Sequence, residues 1–248
     1  MEKGLNSHQL KLIAIVAMTL DHLSWVIWPN YPTIWWIVLI HIFGRLAAPI
    51  FWFSVVEGYT HTHNLKKYIA RLFVFSIIAH FAYNFAFGIP FLPFKTSVFN
   101  QTSVIWGLAW GVVALAISDN VFFTLKQWQK VAALLVIFAI TFPSDWSCIG
   151  VLAILQLYYN KDNFKKQMFM MMLCVGAYAL IYFLFIDKVY ALVQLGVVLV
   201  IPLLQLYNGK LGKGSKWFFY CYYIGHLVLC GVIRIMLHGN MGVLIGGS

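Results

Sequence analysis

Charge is what this sequence has least of: Asp, Glu, Lys and Arg make up 10% of its 248 residues, against 62% hydrophobic. With a mean hydropathy of +0.84, the chain has too little polar surface to cover a soluble globule. Long polar stretches are missing too, so no soluble domain of ordinary size fits between the apolar runs. Cys148, Cys174, Cys221 and Cys230 have no Cys-x-x-Cys spacing and lie mostly in apolar runs. Thiols there pack as small hydrophobes, so neither a disulfide nor a metal is assigned to them. Internal repeats and low-complexity segments are not evident. These absences leave an all-α, polytopic membrane bundle, one domain over residues 1–248.

What is there is a series of apolar segments near 10–29, 34–58, 68–87, 102–119, 131–143, 147–159, 168–186, 189–206 and 217–238. They predict nine spans. Segments 131–143 and 147–159 fall short of the roughly 17–25 residues of a full crossing, which suits a re-entrant pair around Pro143-Ser144-Asp145. Lys3 and Lys11 before the first segment resemble the start of a signal peptide. That segment contains Asp21-His22 and no small-x-small cleavage site, so it reads as a retained helix.

A net charge of +10 raises the question of nucleic acid, but the basic residues stand in short clusters between apolar segments, the pattern of the positive-inside rule. Of 17 Lys and Arg residues, all but Arg45, Lys95, Lys188 and Arg234 fall on one side when the connections are sorted alternately. This predicts a multi-pass protein of the cytoplasmic membrane with its N-terminus in the cytoplasm, partnered by the lipid bilayer and not by nucleic acid. Trp28, Trp35, Trp36, Trp146 and Trp217 lie near predicted interfaces as an ordinary aromatic belt.

The few charges inside the apolar segments carry the functional reading. Counting about 1.5 Å per residue from the segment ends places Asp21, His22, Arg45, His80 and His226 in one layer near mid-membrane. Each must face the bundle interior or a wet cavity. A buried Asp21–Arg45 pair fixing helix register would explain two of them, with the histidines as core donors, but stability gives no reason to collect so many costly groups. Asp21 points about 100° away from His22 on one helix, so Arg45 is its expected partner. His22 is then available as a general base.

Lys11 and His22 stand eleven positions apart, which returns to within about 20° of the same face, roughly 16 Å along the helix. A ligand with anionic groups at one end and a reactive group about that far away fits this stripe. Coenzyme A is such a ligand: its phosphates would lie near Lys11, Lys66, Lys67 and Arg71, with His61 beside them, and its thioester would reach inward. A metal at His61-Thr62-His63 finds no supporting Cys or carboxylate pattern beyond Glu57. Glu57-Gly58 reads as an anchor for the basic turn. Asn84, Asn100, Gln101, Asp145 and Gln194 lie toward the opposite half, where they could contact an acceptor.

LKLIAIVAMTLDH, followed by GRLAAPIFWFSVVEGYTHTHNLKKYIARL, resembles the TraX family of integral membrane proteins, and NQTSVIWGLAWGVVAL, SDWSCIGVLAILQLYY and KWFFYCYYIGHLVL extend the likeness over most of the chain. The family's namesake acetylates the N-terminus of conjugative pilin. Lys11, ten residues, then His22 is also similar to the basic-x10-His signature of membrane acyltransferases that modify extracytoplasmic polysaccharides, in which the histidine is taken as catalytic and acyl-CoA as donor. Arg45 before APIFWF matches that pattern's second block. In the TraX-like C-terminal block a proline usually precedes the histidine, whereas this chain has Gly225 before His226.

The resemblance implies a cell-envelope acetyltransferase that takes acetyl from acetyl-CoA and passes it to a hydroxyl or amine of a pilin-like protein or glycan. His22 would be catalytic, with Asp21 and Arg45 beside it; His80, Asn84, Asp145 and His226 would support it or touch the acceptor. Direct transfer and transfer through His22 both stay open. The alternative is a proton-coupled secondary transporter using the same Asp, His and Arg. It predicts repeated halves with paired broken helices, and the sequence shows neither. A membrane assembly factor without chemistry is the third class.

Overall fold

Asn6 starts the first helix with a reciprocal cap: its side chain accepts from the Gln9 N–H, and the Gln9 side chain accepts from the Asn6 N–H, each at 3.0 Å. The helix that follows, α1, is Ser7–Ile27. The computed structural model describes residues 4–92, 95 and 97–243, with Lys216 as main chain only; Lys3 lies outside them. Next come α2 (Trp35–Gly44), α3 (Ala47–His61), α4 (Leu65–Phe87), α5 (Val104–Ser118), α6 (Gln127–Thr141), α7 (Ser147–Tyr159), α8 (Phe164–Phe185), α9 (Lys188–Gln194), α10 (Val200–Gln205) and α11 (Lys216–His238). A 3-10 stretch, Leu195–Leu199, joins α9 to α10. The architecture is an all-helical bundle, as composition requires.

Six helical segments are long and apolar enough to cross a membrane: α1, α2 with α3, α4, α8, α9 with α10, and α11. The remaining apolar helices, α5, α6 and α7, have 15, 15 and 13 residues. At 1.5 Å per residue each is shorter than the roughly 30 Å hydrocarbon layer. The short α6–α7 pair agrees with the segment lengths; the short α5 does not. Residues just before α5 pair instead with the α6–α7 turn, where Gln101 N–H donates to Pro143 O at 2.6 Å and Asp145 N–H donates to Thr102 O at 2.9 Å.

Two spans are interrupted, against the expectation of none. The α2–α3 segment breaks at Arg45-Leu46, and the α9–α10 segment passes through its 3-10 stretch. The interruptions face each other: a Cβ on Gly196 would sit 3.0 Å from the Ile42 side chain. Backbone freed from regular helix is tolerated at membrane depth only where protein or a cavity surrounds it.

Trp52, Ile50, Val112, Leu115, Val151 and Ile154 are buried at the centre, where α3, α5 and α7 meet. Small residues permit the approach, with Gly150 against Trp52 and Gly111 against Ile154. The outside is apolar as well: Ile77, Phe81, Leu180, Leu184, Leu229 and Met236 are exposed. Water would not sustain such a surface; lipid does.

Main-chain and side-chain bonds gather the N-terminus and alternate connections at one end. Leu5 N–H donates to Leu206 O at 2.7 Å, Tyr207 Oη donates to Glu57 Oε2 at 2.8 Å, and Tyr59 and Tyr158 both donate to Asp119 Oδ2, at 2.8 and 2.6 Å. Burial and the neighbouring Glu57 carboxylate raise the Tyr207 phenol above its ordinary range, so it remains a donor. Lys66, Lys67, Lys126, Lys130, Lys161 and Lys210 belong to this end. At the other, Tyr190 Oη donates to Pro32 O at 3.1 Å and Arg234 donates to Phe85 O at 3.2 Å.

Candidate functional site

The break after α2 places the Arg45 guanidinium against α1. Its Nη2 donates to both Asp21 oxygens, at 2.8 and 2.7 Å, its Nη1 donates to Gln194 Oε1 at 3.2 Å, and its Nε donates to His41 O at 3.2 Å. The pair expected from helical spacing is therefore formed. Gly44 brings the two helices together, because a Cβ there would lie 2.5 Å from both Cβ and Oδ1 of Asp21.

His41 completes this group, a member that helical spacing along α1 does not supply. It is fully buried, and its Nδ1 stands 2.8 Å from Asp21 Oδ1. A carboxylate held by Arg45 only accepts, so Nδ1 carries the proton and Nε2 accepts from Ser24 Oγ at 3.4 Å. Trp25 and Tyr190 pack their rings on the imidazole, with centroids 4.5 and 5.3 Å away. The sequence holds one signal for it: His41 precedes Arg45 by four positions and so shares its helical face.

His22 points away from Asp21 and meets His226 of α11, with Nδ1 and Nε2 2.9 Å apart and the rings stacked. The direction of this bond follows from its neighbour. His226 Nδ1 lies 3.2 Å from the Tyr222 carbonyl, which can only accept, so a neutral His226 donates there and accepts at Nε2. His22 Nδ1 then carries the proton. Its Nε2 keeps a lone pair, and His22 lines a chamber of about 40 Å³.

Arg45, Asp145 and Gln194 line the same chamber, closed by Met18, Trp25, Tyr83, Phe87 and Tyr182. Asp145 sits at the head of α7, before two left-handed non-glycine residues, Trp146 (φ 65°) and Ser147 (φ 51°). Such geometry costs about 1–2 kcal/mol per residue and is retained where surroundings enforce it. Here the Trp146 ring lies 5.8 Å from the Arg45 guanidinium.

His80 does not line this chamber. Its Nε2 lies 2.8 Å from Phe91 O, and the ring lines a separate groove with Phe81, Gln101 and Trp106. Asn84 is buried beside it and donates to Pro90 O at 3.1 Å. Depth along α4 does not decide the direction in which His80 points, and the packing of α4 turns it away from the chamber.

A second cavity, of about 120 Å³, is lined by Lys11, Ser54, Tyr68, Phe219, Tyr220 and their neighbours. Phe51 and Val104 line both it and the His22 chamber, so the two adjoin. Lys11 and His22 thus line two adjoining cavities along α1. Arg71 stacks on two lining residues of the Lys11 cavity, Tyr68 and Tyr220, at 5.3 and 5.8 Å. Lys66 instead lies over Phe122, in a recess of its own. Lys67 is exposed, and His61 bonds its own helix at Glu57 O, 2.9 Å away.

The sequence compares with known proteins over nearly its whole length. It is 29% identical over 244 residues, covering 94% of this chain and 97% of the relative, to a protein of Dichelobacter nodosus described as "Probable fimbrial assembly protein FimC, serogroup H1". No solved structure matches. The family model "TraX protein" matches residues 6–234, which include α1 and most of α11, and the chain belongs to the TraX protein family.

Proposed function

We propose that this protein is an acyl-CoA-dependent acyltransferase that passes an acetyl group from cytoplasmic acetyl-CoA to an acceptor hydroxyl or amine. One observation carries the reading: the cavity lined by Lys11 adjoins the chamber lined by His22, whose Nε2 keeps its lone pair by hydrogen-bond logic. His22 Nε2 takes the acceptor proton, the acceptor oxygen or nitrogen bonds to the thioester carbonyl carbon, the carbon–sulfur bond breaks, and His22 returns the proton to the departing sulfur to release the thiol. Arg45, whose charge faces the chamber, opposes the negative charge developing on the carbonyl oxygen. Asp21 and His41 hold Arg45 there.

The positive-inside rule supports a cytoplasmic membrane location with the basic end toward the cytoplasm, where the cavity lined by Lys11 would have access to cytoplasmic donor. The fimbrial assembly role in the relative's name points to a pilin-like acceptor. The test is transfer of labelled acetyl from acetyl-CoA to fimbrial subunits or envelope glycan in membranes. Wild-type transfer and its loss in a folded His22→Ala protein are expected; full transfer by that variant overturns the reading.

Proton-coupled transport has one observation in its favour: two interrupted helices meet at the Arg45–Gln194 hydrogen bond. Proton-linked flux in proteoliposomes without acyl-CoA, abolished by Arg45→Ala, would decide for it.

A further inference from the structure

Asn208 to Ser215 reads NGKLGKGS, a basic, glycine-rich loop that the chemistry above leaves unused. It closes over the start of α1. Ser7 and His8 donate their main-chain N–H groups to the carbonyls of Lys210 and Leu211, at 2.8 and 3.1 Å. Gly212 and Gly214 allow this approach, since a Cβ on the first would strike Asn6 and on the second the His8 ring. A recess of about 320 Å³ remains, lined by His8, Lys11, Gly212, Gly214, Ser215 and Trp217. Lys11 and Phe219 line both this recess and the Lys11 cavity, so three cavities adjoin in turn between the loop and His22.

The α3–α4 turn lacks that continuity, because Lys66 lines a different recess with Phe122 and Phe123. We propose that the 208–215 loop recess binds the phosphate-bearing nucleotide end of the acyl donor. This rests on the acyl-CoA reading and moves the donor's charged end from Lys66 and Lys67 to the loop. Lys213, exposed between the two lining glycines, and Lys11 supply charge to the phosphates. Trp217, exposed at the rim, offers a face on which a base stacks.

The test uses the full chain in phosphatidylcholine nanodiscs. CoA binding is titrated, and turnover is compared between acetyl-CoA and S-acetylpantetheine, which keeps the thioester arm without the nucleotide. Lys213→Glu is expected to weaken CoA binding about tenfold, with a far smaller effect on S-acetylpantetheine turnover. Equal loss with both substrates overturns the assignment, because the loop would then act through the fold. Unchanged CoA affinity in Lys213→Glu, with loss on reversing Lys66 and Lys67, returns the donor's charge to the α3–α4 turn. Phosphatidylglycerol held at the recess, released by Lys213→Glu without change in CoA affinity, shows an anionic headgroup site instead. A wild-type chain that binds no CoA removes the acyl-CoA reading and this site together.

Discussion

His226 Nε2 stands 2.9 Å from His22 Nδ1, and the Tyr222 carbonyl on the far side of His226 fixes which ring donates. The two histidines therefore have unequal roles. His22→Ala removes the proposed base, and kcat is expected to fall by about 10²–10⁴-fold. His226→Ala leaves the base but frees its tautomer, so a loss of about 10- to 100-fold is expected with the donor KM unchanged. His226→Gln, whose side-chain oxygen can accept from Nδ1, recovers part of it. Acetyl-transfer kinetics on the three purified variants check this order; equal losses for His22→Ala and His226→Ala contradict it.

Asp21 answers both Arg45 and His41, so the pairs are not independent. Asp21→Ala strands a largely enclosed guanidinium, 12% exposed, and is expected to destabilise the protein by about 3 kcal/mol. The Asp21→Ala, Arg45→Met double variant removes both charges and is expected to lie closer to wild type in stability while remaining inactive. His41→Ala takes one hydrogen bond from the carboxylate, for about 1.5–3 kcal/mol. Thermal melting in detergent gives the ranking. A double variant less stable than Asp21→Ala would show that the charges are not coupled as drawn.

Gly44 leaves no room for a methyl group against Asp21. Gly44→Ala is expected to push α2 off α1 at a cost of about 1–3 kcal/mol and to misplace the carboxylate that orients Arg45. Activity should fall by more than the stability loss explains. Gly176, where an added Cβ would meet nothing within 4 Å, is the control: Gly176→Ala should leave melting and transfer near wild type.

The Asp21–Arg45 pair and the Lys11–His22 stripe are legible in the sequence because helical rise and rotation determine depth and face within one element. Rotation between elements is set by packing, which is why counting along α4 groups His80 with His22 while the fold gives it a different groove. His41 escapes such counting because one imidazole in an apolar run looks like many core histidines until its partner on α1 is known. The α9–α10 interruption has its local signals in Gly196 and in Pro202, which has no N–H for the Val198 carbonyl, but the unbroken apolar run hides them. Lysines in the α3–α4 turn cluster in sequence and so suggest a donor rim around Lys66, whereas the cavities follow α1 and α11, which meet only in the fold.

Val104 offers a test of passage between the Lys11 and His22 cavities that leaves the reacting groups untouched. It lines the His22 chamber and the cavity beginning at Lys11, together with Phe51. Val104→Trp puts an indole between them, and Val104→Ala widens the same point. If the acyl end travels this way, the tryptophan variant should lose at least about tenfold in kcat/KM, equivalent to about 1.4 kcal/mol of transition-state binding. Its CoA affinity should change less, since the nucleotide end binds above the block. Val104→Ala should retain transfer at a stability loss of about 1–2 kcal/mol from the methyl groups removed. A folded Val104→Trp protein that turns over acetyl-CoA normally would mean that the donor reaches His22 by another route, and the alignment of Lys11 with His22 would then be structural.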